Sequence, residues 1–143
     1  MSGRIIFFTY KIKYRIEKKR KLSLWLEEVI ESYGKIRGDI NIILVSDKYL
    51  RKLNHKYLGK KSYTDTISFR LSEEEEVISG DVFISIQRVK ENAKLFGNSL
   101  NDELSRVMVH SILHLIDLND ETKEEKKLMN LLENKFLKRL KKF

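Results

Sequence analysis

The sequence predicts an α+β fold, in which a small mixed four-stranded sheet carries helices packed mainly on one side. Four short stretches of strand type, at residues 4–10, 39–45, 64–71 and 77–85, are separated by helical patterns in an irregular order. The chain has 143 residues, of which 41% are hydrophobic and 35% are charged. This composition is typical of a globular protein, and we expect a single domain over residues 1–143 with a two-layer core.

The first strand and the first helix follow from simple patterns. Residues 4–10 are rich in Ile and Phe, which favours a strand. Apolar residues recur at helical spacing through residues 22–33, and Gly34 is placed to end that helix. Trp25 is expected to anchor the core rather than to stack on a ligand. The apolar positions of this helix are Leu22, Trp25, Leu26, Val29 and Ile30.

The second strand and helix meet at a serine. Residues 39–45 form a β-branched run of strand type, and Ser46 can cap a helix over residues 47–57. The inward residues of that helix are predicted to be Tyr49, Leu50 and Leu53. A loop containing Gly59 follows.

An antiparallel hairpin is predicted next. Residues 64–71 alternate, with Ile67, Phe69 and Leu71 on one face, and an acidic SEEEE turn leads into the strand at residues 77–85.

Three further helices complete the chain. Residues 87–96 form a helix that stops at Gly97, and Ser99 with Asp102 predicts a capped N-terminus for the next helix. Residues 121–140 form a last amphipathic helix. Its inner side is predicted to consist of Leu128, Leu131, Leu132, Phe136 and Leu140.

Composition excludes several classes of site. The chain has no cysteine, so disulfides and thiolate metal sites are excluded and any metal must be held by nitrogen and oxygen. No apolar run of 18 residues and no signal-peptide pattern is present. We expect a cytoplasmic protein with no membrane partner.

The charge favours an anionic partner. The formal net charge is +8, and basic residues cluster at residues 4–21, 48–61 and 135–142, whereas acidic residues collect elsewhere. Such a surface would attract a polyanion, of which RNA or DNA phosphate is the usual case. The alternative is a solvated lysine-rich surface with no bound partner.

The stretch VHSILHLIDLND at residues 109–120 contains the candidate site. His110 and His114 are four residues apart, so on a helix both imidazoles lie on one face and can share a metal ion. The surrounding residues are apolar, which indicates a buried helix. A pair of core histidines is the alternative. Ser111 stands where the HExxH metalloproteases have their glutamate base, which argues against that class of peptidase. A third ligand would come from the turn that follows.

Three segments together resemble a known family. The segments NHKYLGKKSYTDTISF, SGDVFIS and ELSRVMVHSILHL occur in this order from residue 54 to residue 115. They are similar to segments of the YbeY family of bacterial endoribonucleases, which mature ribosomal RNA. The resemblance extends from residue 39 through the final helix.

The resemblance implies a metal site. The family pattern is H-x-x-x-H, five further residues and a third His, and the three histidines bind zinc. The first two fall on His110 and His114, whereas the third falls on Asp120. A set of two histidines and one aspartate is an acceptable open site for one divalent ion, zinc being expected and iron(II) the alternative. Asp117, which stands where the family usually has Gly, is the competing third ligand. The metal site is thus expected at the end of a buried helix.

The resemblance also implies a function. We expect a single-strand-specific, metal-dependent endoribonuclease that acts in ribosomal RNA maturation and ribosome quality control. Its partners would be single-stranded ribosomal RNA and possible small-subunit proteins or assembly factors. Leu58 stands where many members have an Arg regarded as important for activity, so Lys60, Lys61 or Arg70 is expected to bind phosphate instead. No catalytic base is identified.

Two alternatives stay open. The protein could be an RNA-binding assembly factor that docks on the ribosome and holds a structural metal. It could instead be a metal-dependent hydrolase of another substrate, for example a small phosphoester.

Overall fold

The computed structural model describes residues 3–59 and 64–143. Its sheet has four strands among these residues: β1 (Ile5–Thr9), β2 (Ile36–Val45), β3 (Thr66–Arg70) and β4 (Val77–Ser85). The strand order is β1-β2-β4-β3. The pairs β1–β2 and β2–β4 are parallel, whereas β3–β4 is antiparallel. The predicted mixed four-stranded sheet and its hairpin are confirmed.

Five helices accompany the sheet: α1 (Lys19–Ser32), α2 (Asp47–Leu58), α3 (Ile86–Phe96), α4 (Leu100–Leu115) and α5 (Lys123–Leu140). Successive side chains of a strand point to opposite faces, so β2 separates two cores. Ile40, Ile42 and Leu44 pack in the main core with residues of α1, α3, α4 and α5. Ile43 and Val45 pack with α2 in a smaller cluster on the other face. Helices therefore lie mainly on one side, as predicted.

Polar caps define the helix ends. Ser46 accepts a hydrogen bond from the backbone N–H of Tyr49, and Ser99 accepts one from that of Asp102. Gly97 ends α3 with a φ of 70°, a conformation that glycine adopts without steric cost. These ends agree with the predictions. The strands β1 and β3 are shorter than predicted, and β2 begins earlier, at Ile36.

The helix α4 lies at the centre of the main core. Its residues Met108, Val109, Ile112 and Leu113 have no exposed surface, and it contacts α1, α3, α5 and the strands β3 and β4. This confirms the buried histidine helix. Trp25 of α1 is also fully buried, and its indole Nε1–H donates to the carbonyl oxygen of Phe136 in α5 at 2.8 Å.

The predicted inner face of α5 is wrong in part. Leu128 and Leu131 are 53% and 59% exposed, whereas Met129, Glu133 and Phe136 are buried. The buried face of α5 is therefore displaced by about one residue from the predicted inner face. The prediction failed because it followed the leucines alone, whereas the half-buried Arg106 and His110 of α4 contact the Glu133 carboxylate and hold it on the inner side.

We predict that Trp25→Ala lowers the free energy of unfolding by about 3–5 kcal/mol, because a buried aromatic side chain and its hydrogen bond between α1 and α5 are lost together. Urea denaturation measures this change. The neighbouring Leu24, which is 47% exposed, is the control, and Leu24→Ala should cost less than about 1 kcal/mol. Equal costs for the two variants would contradict the packing described here.

Candidate metal centre

A cleft lies at the C-terminal end of α4, between α2, β3 and the turn that leads into α5. Its volume is about 560 Å³. The sheet edge contributes Asp65, Thr66 and Arg70, and α2 contributes Asn54 and Leu58. Three of the residues predicted from the histidine motif line this cleft, namely His110, His114 and Asp120.

These three side chains form a compact cluster. Their candidate ligand atoms all lie within 4.8 Å of one another. The Nε2 atoms of His110 and His114 are 3.0 Å apart. The carboxylate oxygens of Asp120 lie 3.5 Å from Nε2 of His110 and 3.3 Å from Nε2 of His114. The arrangement presents two imidazole nitrogens and one carboxylate to a common point, which is a donor set that could hold a divalent metal ion.

The turn after α4 places Asp120. Ile116 ends the helix, and Asp117 follows with a φ of 73°. Aspartate is among the few residues other than glycine that tolerate this left-handed conformation. The conformation therefore explains how Asp117 can replace the glycine that the resemblance led us to expect here. Thr122 then starts α5 with a capping box that includes Glu125. Asp120 lies in the short segment between these two fixed points.

Asp117, the competing ligand, lies outside the cluster. Its carboxylate accepts a hydrogen bond from Nη1 of Arg70 at 2.7 Å, and its side chain is 72% exposed. Arg70 also donates from Nη2 to the carbonyl oxygen of Glu75 at 2.8 Å. The guanidinium therefore lines the cleft but is engaged in holding the turns beside it. Lys60 and Lys61, the other predicted phosphate-binding residues, lie outside the described residues.

Glu133 is a site residue that sequence reasoning missed. Its Oε2 atom lies 2.7 Å from Nδ1 of His110, and its Oε1 atom accepts from Nη1 of Arg106 at 3.0 Å. Burial alone would lower the pKa of His110, but the hydrogen bond and the charge of Glu133, with the charges of Asp120 and Asp65, raise it above the usual range. The sequence signal that could have revealed this role is the position of Glu133, which lies at helical spacing from the apolar Met129 and Phe136 and so falls on the same face of the helix.

Asp65 is a second missed residue. Burial raises the pKa of its carboxyl group, and it lines the cleft beside the metal-ligand candidates. The next residue, Thr66, is hydrogen-bonded to the Ser111 hydroxyl at 2.8 Å. Ser111 donates its own proton to the carbonyl oxygen of Val107, so the Thr66 hydroxyl donates to Ser111. This contact ties β3 to the helix that carries the histidines.

Comparison with known proteins identifies the family. The sequence profile of the family described as endoribonuclease YbeY matches residues 8–141. The chain belongs to the endoribonuclease YbeY family. The resemblance found in the sequence is confirmed, and with it the membership of a family of RNA-cleaving hydrolases. Within the described ranges, no helix combines the length and apolar character needed to cross a membrane.

Individual relatives agree with the YbeY assignment. An endoribonuclease YbeY from Parabacteroides distasonis is 40% identical over 133 residues, which cover 93% of each chain. Another from Karelsulcia muelleri is 38% identical over 138 residues, or 96% of this chain and 97% of the relative. A solution structure of a Thermotoga maritima protein matches with a TM-score of 0.64 and 28% identity, covering 95% of this chain and 88% of the other.

We predict that Asp65→Asn stabilises the metal-free protein at pH 7. Because the folded state raises the pKa of this carboxyl group, folding favours its protonated form, and ionisation reduces stability as the pH rises past the carboxyl range. Asparagine mimics the neutral form at every pH. Urea denaturation should show a higher free energy of unfolding than in wild type at pH 7 and a smaller difference below the usual carboxyl pKa.

The exposed acidic residue Glu121 provides the control for this measurement. Glu121→Gln should leave the free energy of unfolding at pH 7 within about 0.5 kcal/mol of wild type. An Asp65→Asn variant that is less stable than wild type at pH 7 would contradict the destabilising role of this half-buried charge.

Proposed function

We propose that the cleft is the active site of a single-strand-specific, metal-dependent endoribonuclease that acts in ribosomal RNA maturation and ribosome quality control. The observation that carries this proposal is the convergence of His110, His114 and Asp120 in one cleft of a chain that belongs to an endoribonuclease family. Residues 1–143 would act as one domain. The cytoplasmic location expected from the sequence stays a prediction.

The donor geometry supports zinc as the ion. Two ligands at about 2.0–2.1 Å from a tetrahedral zinc ion lie about 3.3 Å apart. The Nε2 atoms of His110 and His114 are 3.0 Å apart, Oδ1 of Asp120 lies 3.3 Å from Nε2 of His114, and Oδ2 lies 3.5 Å from Nε2 of His110. Three protein ligands would leave a fourth position for substrate or water, as in catalytic rather than structural zinc sites.

The metal and the protein divide the chemistry between them. A divalent ion held by these residues would supply Lewis-acid chemistry, by polarising a phosphoryl oxygen or lowering the pKa of water. On the protein's side, Glu133 contacts Nδ1 of His110, and Arg70 is held beside the cleft. Asp65 places a half-buried carboxyl group of raised pKa in the same cleft, where it could accept or donate a proton.

The outer face of α2 supplies a path for the RNA backbone. Lys48, Arg51, Lys52 and Lys56 are exposed there, while Asn54 and Leu58 of the same helix line the cleft. Phosphates lying along this face would be led towards the metal-ligand cluster. Lys60 and Lys61 lie outside the described residues, and we propose that they too bind phosphate.

An exposed aromatic ring at the end of this path favours single-stranded substrate. Tyr57 is 57% exposed and is held edge-on against Phe69, with ring centroids 5.6 Å apart. An unpaired base offers a face that can stack on such a ring, whereas bases in a duplex are already stacked. Ribosomal RNA is the substrate we propose. Small-subunit proteins or assembly factors would bring the enzyme to it.

We predict about one zinc ion per chain in protein purified without added metal. His114→Ala and Asp120→Ala should each lose it, because two protein ligands do not hold the ion firmly. Elemental analysis measures the content. Asp117→Gly is the matched control, since glycine adopts the positive φ of this position, and it should retain the metal. The reverse pattern for residues 117 and 120 would assign the third ligand to Asp117.

We predict that Lys52→Ala raises the KM for single-stranded RNA about two- to fivefold with little change in kcat. The reason is that one exposed ionic contact to phosphate is worth up to about 1 kcal/mol, and its loss should also make the salt dependence of KM less steep. Lys138→Ala on the far part of α5 is the control. An equal rise in KM for Lys138→Ala would show that the effect comes from the change in net charge, and it would contradict RNA binding along α2.

Metal-loaded wild type should cleave single-stranded RNA and leave duplex RNA largely intact. Wild type that binds metal, melts on its removal and cleaves no RNA would favour an assembly factor with a structural metal.

A further inference from the structure

We propose that Glu133 and Arg106 together act as positioning residues that fix the tautomer of His110, with the ring proton on Nδ1 and the Nε2 lone pair directed at the metal-ligand cluster. This inference rests on the proposed function, because it concerns the same metal site. It adds a role for two residues outside the ligand set, which the sequence motif did not single out.

The three side chains form a continuous chain of hydrogen bonds. Nη1 of Arg106 donates to Oε1 of Glu133 at 3.0 Å, and Oε2 of Glu133 lies 2.7 Å from Nδ1 of His110. Glu133 is 7% exposed. On the far side, Nη2 of Arg106 donates to Oδ1 of Asn134 at 2.8 Å, so the guanidinium is held in its orientation.

The chemistry of these groups fixes which atom donates in each hydrogen bond of the series. A guanidinium has only donors, and a carboxylate has only acceptors. Glu133 therefore accepts from Arg106 with one oxygen and from His110 with the other, which requires the proton on Nδ1. In a neutral imidazole the other nitrogen then carries the lone pair. That nitrogen is Nε2, which lies 3.0 Å from His114 and 3.5 Å from Asp120.

The position of Glu133 is hard to explain by stability alone. It lies between Met129 and Phe136 on the buried stripe of α5, where an apolar residue would pack without desolvating a charge. A buried ion pair adds little net stability compared with apolar residues of similar volume. Retaining the carboxylate there is accounted for by its second contact, the one to His110. Metal-ligating histidines commonly have such a partner on the ring nitrogen that does not bind the metal.

Replacement of Glu133 by glutamine tests this order of donors and acceptors. An amide has one acceptor oxygen and one donor nitrogen. Because Arg106 can only donate, the amide oxygen should turn to Arg106 and the NH₂ group should face Nδ1 of His110. His110 would then have to accept at Nδ1 and carry its proton on Nε2, which blocks the metal-ligand atom. Glu133→Gln thus inverts the tautomer while the size of the side chain hardly changes.

The tautomer can be measured in the metal-free protein by long-range ¹H–¹⁵N NMR of the imidazole rings. The chain has three histidines, so single His→Ala variants assign the signals. At a pH at which titration shows His110 to be neutral, wild type should give a protonated Nδ1 and an unprotonated Nε2. Glu133→Gln should give the reverse, and its zinc affinity should fall about 10- to 100-fold.

A double variant separates positioning from mere packing. In Arg106→Met with Glu133→Gln, the amide is free to turn its oxygen to His110. The Nδ1-protonated tautomer should therefore return, and most of the lost zinc affinity with it. Asn130→Ala, which removes only a 3.4 Å contact to Arg106, should leave the tautomer unchanged.

Three results would overturn the proposal. They are an unchanged tautomer in Glu133→Gln, a wild-type His110 with its proton on Nε2, and a double variant that binds zinc no better than Glu133→Gln. Urea denaturation of each variant checks that it is folded. Since the tautomer is measured without metal, failure of this proposal is distinguishable from failure of the proposed function, which would appear as wild-type protein that binds no metal or cleaves no RNA.

Discussion

Burial of α4 on nearly every side is the constraint on which the rest of the structure depends. Met108, Val109, Ile112 and Leu113 have no exposed surface, since α1, α3 and α5 pack around this helix and the sheet covers another side. His110 and His114, in its last two turns, line an open cleft. A rigid, fully packed helix holds two candidate ligands in fixed relative positions, as a precise metal site requires.

Two polar groups that enter this core, Ser111 and Glu133, connect it to the cleft. The Ser111 hydroxyl bonds the carbonyl oxygen of Val107 and accepts from Thr66, which fixes β3 beside α4. Glu133 enters from the opposite side and contacts His110. Burying such groups is unfavourable unless each has a partner. Their satisfied contacts explain how a mostly apolar helix can present polar groups to the cleft.

Sequence reasoning succeeded where a local signal was unambiguous and failed where the partner was distant. Helix ends at Ser46, Gly97 and Ser99 were predicted because capping depends on a few neighbouring residues. The inner face of α5 was partly wrong because the choice between Leu128 and Glu133 is made by contacts with α4. An amphipathic pattern cannot reveal that a charged residue has partners on another helix.

The sequence by itself determined the α+β class, the strands and helices, the family, and the candidate trio His110, His114 and Asp120. The class, the elements and the histidine pair rest on local periodicity and motif spacing, whereas Asp120 entered the trio through the resemblance to the YbeY family. Only the tertiary structure decided that Asp120, rather than Asp117, lies beside the histidines, because the positive φ at residue 117 and the pairing with Arg70 direct that carboxylate away. Asp65 and Glu133 likewise joined the site only through folding, since the elements that carry them meet α4 through long-range packing.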